Sequence, residues 1–190
     1  MRKNPSKFRS DNRPVERVSP RQIEEYIARL NLLTGKTYRL PTEDEWEYAA
    51  RGGNKSKGYK YSGSNNVDSI AWYKDNSNGK TQPVGTKQPN ELDIYDMSGN
   101  VWEWVSTCWD YRSNAENVQY ASSSRNTDNC WDVLRGGSWW LYDLAIRIPS
   151  RELCLTHRSP SGDIGFRLAC SIEQNEEEVE KGLESVYENY

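Results

Sequence analysis

The chain has 190 residues and a mass of 22.0 kDa, which is the size of a single domain. Its 25 basic and 28 acidic residues give a formal net charge of −3. Residues 172–190 contain seven Glu and one Lys and so carry a charge of −6, which leaves +3 on the rest of the chain. A body this close to neutrality, without a basic run, excludes a nucleic-acid-binding surface. No stretch reaches the ~18 apolar residues of a membrane helix, which excludes direct membrane insertion.

The aromatic and cysteine content indicates an unusual core. Eight Trp and twelve Tyr stand against two Phe and two Met, so the interior is expected to be irregular and crossed by polar groups. The four cysteines lack zinc spacing, and His157 is the single histidine, which argues against a structural zinc site. Cys108 and Cys130 flank a polar excursion; a disulfide between them is one alternative, and two free thiols are the default.

Two helices are predicted after an irregular lead-in over residues 1–18. Ser19 and Gln22 form a capping box, apolar residues then recur at helical spacing to Leu33, and Gly35 ends the first helix. A second capping box over 42–45 starts the next helix, which Gly-Gly at 52–53 terminates. Beyond it, short strands are predicted at 38–40, 101–105, 133–134 and 165–169.

Five sequence strings match one protein family in its own order. They are RLPTEDEWEYAARGG at 39–53, PNEL at 89–92, YDMSGNVWEW at 95–104, LRGGSW at 134–139 and GFRLA at 165–169. The chain thereby resembles the formylglycine-generating (sulfatase-modifying factor) family over about residues 4 to 170. The resemblance implies an α+β, C-type-lectin-like fold with two helices, a small twisted antiparallel sheet and much irregular loop. It implies one domain over 1–171, followed by an acidic tail over 172–190.

The catalytic cysteines of that family have no counterpart in this chain. The family's enzymes use two cysteines, shortly after the Gly-Gly-Ser block, to bind copper and oxidise a substrate cysteine. Leu141 and Ile146 stand at those positions here, and neither side chain can ligate a soft metal. The resemblance therefore implies a non-catalytic protein without copper or a nucleotide cofactor. Two alternatives stay open: a catalytically dead accessory partner, and an oxidase relative with chemistry rearranged around Cys154 and His157.

A calcium site is expected in the segment 96–103. Asp96 and Glu103 supply two carboxylates around a bend that contains Gly99, and calcium prefers oxygen ligands on irregular loops. In the resembling family the matching side chains, with the carbonyls equivalent to Gly99 and Val101, hold a structural calcium. The alternative is that both carboxylates accept hydrogen bonds from loop amides without a metal.

The segment 140–157 fits neither a helical nor an alternating period over its length. A buried strand-loop-strand is one interpretation, and a recognition surface on a rigid scaffold is the other. The second interpretation predicts as ligand-binding residues Trp140, Leu141, Tyr142, Asp143, Leu144, Ile146, Ile148, Glu152, Leu153, Cys154, Leu155, Thr156 and His157.

The position of this segment between two family blocks adds a second resemblance. It is similar to the C-terminal variable region of proteins targeted by diversity-generating retroelements, which use the same fold as a tolerant display scaffold in phages or on bacterial surfaces. This resemblance implies binding of a macromolecular ligand, a protein or a surface glycan, through residues 140–157. It also implies a virion or cell-surface location. Because no early apolar run resembles a signal peptide, that location needs another export route or a missing N-terminal segment, and a cytoplasmic location stays open.

Overall fold

Residues 4–110, 130–155 and 161–171 are described by a computed structural model. The helices are α1 (Pro20–Thr34), α2 (Glu43–Ala50) and the short α3 (Val67–Ile70). The strands are β1 (Thr37–Arg39), β2 (Trp102–Asp110), β3 (Cys130–Arg135), β4 (Arg151–Leu155), β5 (Ile164–Phe166) and β6 (Ala169–Ser171). Short helices and short strands joined by long loops confirm the predicted α+β class. None of the helices in these ranges combines the length and the apolar composition needed to cross a bilayer.

Both predicted helices form, and their starts are fixed by local capping. Ser19 Oγ accepts the Gln22 N–H, and Gln22 Oε1 accepts the Ser19 N–H at 3.0 Å. Gly35 ends α1 with a left-handed φ of 68°. Thr42 and Glu45 make the same reciprocal pair at α2, with distances of 3.1 Å and 2.8 Å. Capping boxes satisfy backbone donors that the first turn leaves unpaired, so the sequence pattern alone located these helix starts.

The main sheet has four strands in the order β4-β3-β2-β5. The β2–β3 and β3–β4 pairs are antiparallel, whereas β2 and β5 are parallel, so the sheet is mixed rather than antiparallel throughout. The pair β1–β6 forms a separate two-stranded ribbon. The strand expected over 165–169 is split between β5 and β6, and β4 agrees with the strand-loop-strand interpretation of 140–157 in its second part. Because β4 spans Arg151–Leu155, the second part of the segment 140–157 belongs to the sheet.

Tryptophans bridge the apolar core to polar groups, as the composition predicts. Trp46 is 1% exposed, and its indole N–H donates to Glu103 Oε2 at 2.7 Å. Trp104 is 4% exposed and donates to the carbonyl of Val18 at 3.2 Å. A buried indole N–H without an acceptor would cost free energy, so these bonds allow large rings to fill the interior.

A fully buried arginine links helix α2 to the middle of the predicted binding segment 140–157. Arg135, at the end of β3, lies 3.2 Å from a Glu43 carboxylate oxygen and also pairs with Glu47, both on α2. Its two terminal nitrogens also donate to the carbonyls of Ile148 at 2.9 Å and Pro149 at 3.3 Å, whereas Nε is buried without a hydrogen bond. A buried charge needs such ion pairs and hydrogen bonds, so Arg135 fixes the backbone at 148–149 relative to α2.

Cys108, on β2, is disulfide-bonded, so the default of a free thiol is wrong for this residue. The side chain that completes the bond lies outside the described residues. Pairing with Cys130 therefore stays a prediction. Cys170, on β6, is free and exposed.

Candidate functional site

The first part of the predicted binding segment is held in place by its own backbone. The Trp139 N–H donates to the Asn100 carbonyl at 2.9 Å, and the Leu141 carbonyl accepts the Lys74 N–H at 2.9 Å. Further along the segment, the Ile148 N–H donates to the Lys60 carbonyl at 3.1 Å. These anchors join main-chain atoms of 139–148 to main-chain atoms elsewhere, so they do not depend on which side chains the segment carries.

Gly137 permits the close packing of this segment onto the end of β3. Its φ is 74°, and a Cβ placed there would lie 2.9 Å from the Ala145 carbonyl oxygen and 2.9 Å from Ile146 Cα. No side chain fits into that space without moving the 3-10 turn at Asp143–Ile146. Gly137 therefore allows the backbone at 145–146 to pack directly against the end of the RGGSW string.

Within the described part of the segment, three large hydrophobic side chains project into solvent. Trp140 is 59% exposed, Tyr142 58% and Leu144 63%, and they alternate with residues that point inward. We call Trp140, Tyr142 and Leu144 the display face. Lys74 supports two of the three: its Nζ donates to Tyr142 Oη at 2.8 Å and lies 5.7 Å from the Trp140 ring centroid. Large exposed aromatic and aliphatic groups on a fixed backbone are typical of interaction surfaces.

Leu141 and Asp143 are half-buried between the members of the display face. Leu141 packs against two core clusters. The Asp143 carboxylate accepts the Tyr61 hydroxyl at 3.1 Å, and burial raises the pKa of that tyrosine. Both residues sit at the base of the surface and hold it to the core.

The prediction is wrong for two apolar residues of the segment. Ile146 is 0% exposed and Ile148 is 2% exposed, because both side chains fill the core beneath the loop, so neither is available to an external ligand. Leu153 is half-buried on β4 and packs against the Trp46 cluster, and its ligand-binding role stays a prediction. The side chains of Cys154 and Leu155, and all of Thr156 and His157, lie outside the described residues, so their predicted role is untested.

A pocket of about 370 Å³ adjoins the display face. Its aromatic wall consists of Trp102, Trp139 and Trp140, with Leu141 and Ile164 beside them. Its charged lining consists of Lys7, Arg17, Glu152 and Asp163. Glu152 is therefore the member of the predicted set on β4 that reaches this site, where it is half-buried.

The lead-in contributes to this pocket, which the sequence did not indicate. Glu16 is 0% exposed, and its Oε1 accepts the Phe8 N–H at 2.8 Å. The Phe8 ring meets Trp139 edge-on at 5.6 Å, and the Arg17 N–H donates to the Ser161 carbonyl at 3.1 Å. Burial raises the pKa of Glu16, although the Phe8 amide opposes that shift. Lys7 and Arg17 line the pocket, and Phe8 and Glu16 hold the lead-in beside it, an arrangement that no local period could have indicated.

The four residues predicted to hold calcium do not fit that ion as a set. Both Glu103 oxygens accept hydrogen bonds from Arg167, at 2.5 Å and 2.7 Å, and one also accepts the Trp46 indole. A guanidinium thus occupies the carboxylate that calcium would need. In the described ranges, no group of three or more His, Cys, Asp or Glu side chains could hold a metal.

The rest of the predicted calcium loop supplies one orphaned oxygen. Asp96 Oδ2 accepts the Gly85 N–H at 2.7 Å, whereas Oδ1 is buried without a hydrogen bond, and burial raises the pKa of the carboxyl. The Gly99 N–H donates to the Gly136 carbonyl at 2.8 Å, and Val101 is buried. Calcium held by Asp96 with the carbonyls of Gly99 and Val101 stays a prediction, without Glu103 among the ligands.

These features define a C-type-lectin-like fold that carries an exposed loop surface and an adjacent aromatic pocket. The chain belongs to the sulfatase-modifying factor family, since the "Sulfatase-modifying factor enzyme 1-like domain" matches residues 2–172.

Individual relatives differ in the activity that their names state. The chain is 35% identical to "Chaperone protein LppX" of Paenibacillus barcinonensis over 73% of its own length. It is 34% identical to the formylglycine-generating enzyme of Streptomyces coelicolor over 88% of its own length. It is 32% identical to the "Inactive C-alpha-formylglycine-generating enzyme 2" of Bos taurus over 82% of its own length. It spans 63%, 57% and 50% of those proteins, less than two thirds of each.

A solved structure resembles this chain closely. "Treponema denticola variable protein 1" superposes with a TM-score of 0.73 at 29% identity, covering 90% of this chain and 78% of that one. The chain is thus similar to proteins named as enzymes, to one named inactive and, in structure, to one named a variable protein.

Proposed function

We propose that this chain is a non-catalytic, ligand-binding member of the family, namely a variable protein of a diversity-generating retroelement. Its macromolecular ligand contacts the display face and the half-buried residues around it. One observation carries the proposal: three large side chains are exposed on a segment whose backbone is anchored at both ends. The similarity to the Treponema denticola variable protein supports it.

The anchoring pattern suits a surface that varies in sequence. The hydrogen bonds of 139–148 join main-chain atoms, so replacing Trp140, Tyr142 or Leu144 leaves them intact. A rigid loop also binds at a lower entropic cost, since each side chain ordered on binding costs roughly 0.5–1.5 kcal/mol. The scaffold can thus tolerate changes at the positions that meet the ligand.

The residues at the family's catalytic positions support a non-enzymatic role. Leu141 is half-buried and Ile146 is fully buried, and both pack as apolar core residues. Neither can bind copper or form a mixed disulfide with a substrate. The relative named inactive is a precedent for family members without the oxidase reaction.

Two matched display libraries test the proposal. The first randomises Trp140, Tyr142 and Leu144; the second randomises the buried Ile146 and Ile148. We expect most members of the first library to fold, and selection against several unrelated proteins and glycans to yield specific binders. Most members of the second library should lose the fold. Equal loss of folding in both libraries, or no binder from the first, would contradict the proposal.

The coding region gives an independent test of the retroelement. A near-identical template repeat nearby, differing from the coding repeat mainly at adenine positions, is the expected finding. Codons for the display face should lie at such positions, and those for Ile146 and Ile148 should not. A neighbourhood with neither a template repeat nor a reverse transcriptase would remove the retroelement from the proposal and leave ligand binding to the library experiment.

A further inference from the structure

The pocket beside the display face has the size and lining of a small-molecule site. Its volume of about 370 Å³ lies within the ~300–1,000 Å³ of typical ligand pockets. Trp102 is 7% exposed and sits deepest, Trp139 is half-buried, and Trp140 is also part of the display face. A ligand bound at the face would therefore meet this pocket as well.

The charges that line the pocket are balanced. Lys7 and Arg17 come from the lead-in, Glu152 comes from β4, and Asp163 precedes β5. Glu16 lies buried directly behind the two cations, with its Oε2 4.0 Å from Arg17 Nε. An anionic ligand would meet the carboxylates and a cationic ligand would meet Lys7 and Arg17, so neither charge sign is favoured.

The lining retains capacity to donate and to accept hydrogen bonds. Lys7 Nζ lies 5.0 Å from the Phe8 ring and donates no hydrogen bond within the described part of the chain. The Asp163 carboxylate accepts the hydroxyls of Ser138, at 3.2 Å, and Ser161, which leaves further lone pairs on both oxygens. The pocket thus offers donors on one wall and acceptors on another.

We propose that this pocket binds a neutral saccharide ring. A sugar hydroxyl both donates and accepts, so one ring can use Lys7 and Asp163 without bringing a net charge. Its C–H faces can pack against indole rings, in contacts that are individually weak. This inference rests on the proposed function and makes its macromolecular ligand a glycan, of which the pocket holds one residue.

Indole N–H resonances in NMR spectra of the intact chain provide the test. The probes are the methyl glycosides of glucose, galactose, mannose and N-acetylglucosamine, titrated separately. We expect at least one to shift the Trp139 and Trp140 signals in a saturable way, with a weak affinity in the millimolar range, near ~1 mM. Lys7→Gln and Asp163→Asn should each weaken that binding about tenfold through the loss of one charged hydrogen bond.

Leu32→Ala is the matched control, because Leu32 is 86% exposed on α1 and belongs neither to the display face nor to the pocket lining. It should leave the glycoside affinity unchanged. Lys7 is exposed, so Lys7→Gln should keep the fold and remains informative if Asp163→Asn unfolds. Unchanged unfolding midpoints verify that a loss of binding reflects the site.

Two results would overturn the inference. One is that no glycoside shifts the indole signals; the other is that a short peptide with one Lys and one Glu shifts them while the glycosides do not, which would favour a protein ligand. If the display-face library still yields binders, only the saccharide assignment fails. If glycosides bind but the library does not fold or bind, the pocket assignment stands and the proposed function fails.

Discussion

Truncating one buried and one exposed side chain of the same loop gives the sharpest test of the surface described above. Ile146→Ala removes a side chain that is 0% exposed, whereas Leu144→Ala removes one that is 63% exposed, two residues away. We expect Ile146→Ala to lower the free energy of unfolding by about 3 kcal/mol and Leu144→Ala by less than about 0.5 kcal/mol.

The larger figure follows from the carbon atoms that Ile146→Ala removes. Three methyl or methylene groups leave the core, and each contributes about 0.8 kcal/mol of transfer free energy, or roughly 2.4 kcal/mol together. The cavity adds to this cost, since Gly137 and the Tyr61 cluster around the side chain are fixed by backbone contacts and collapse only in part. Leu144 has little buried area to lose.

Urea denaturation followed by tryptophan fluorescence measures both changes, with the midpoint reporting stability and the slope checking two-state behaviour. Equal losses for the two variants would show that Leu144 is not part of a free surface. A loss below about 1 kcal/mol for Ile146→Ala would show that the loop is not packed onto the core as described.

Three further predictions concern charge and chemistry. Glu103→Gln should lower the free energy of unfolding by about 2 kcal/mol or more, because it leaves the largely buried Arg167 without its carboxylate partner. Added calcium should not restore this loss, and it should not stabilise the wild-type protein through Glu103. Calcium stabilisation of the wild-type protein that Glu103→Gln abolishes would refute this prediction. The hydrogen bonds from Arg39 lower the pKa of Glu45 to about 2. The stability that this pair contributes is therefore present above about pH 4.5 and is lost as the pH falls towards 2. Glu45→Gln should reduce this acid dependence in denaturation curves measured at several pH values, and an unchanged pH profile would contradict the prediction. With copper and a cysteine-containing peptide, an oxygen electrode should record no consumption above that of copper and peptide alone, since Leu141 replaces a cysteine; a protein-dependent rate would refute the non-catalytic role.

Sequence patterns predicted the features that depend on neighbouring residues. The two capping boxes and Gly35 located α1 and α2, because each cap involves residues no more than four positions apart. The bounds of strand β4 could not be predicted, because its place in the sheet depends on pairing with β3 and its residues do not alternate regularly.

The features of the site that could not be predicted depend on contacts between residues that are far apart in the chain. The Glu103 carboxylate looked like a calcium ligand until the fold placed Arg167, 64 positions away, against both of its oxygens. The alternation of exposed and buried residues over 140–148 depends on the short 3-10 turn and on Gly137, which together direct Ile146 into the core. No periodicity within the segment could indicate that direction.

The closed contact of the first residues with the pocket has a practical consequence for protein engineering. The residues ahead of α1 are part of the folded domain, because the Phe8 ring packs against Trp139 and Glu16 is buried close to Lys7 and Arg17. Any engineered variant should therefore keep residues 7–17, since trimming the chain to begin at Pro20 would expose an edge of the Trp139 indole and remove Lys7 and Arg17 from the pocket lining.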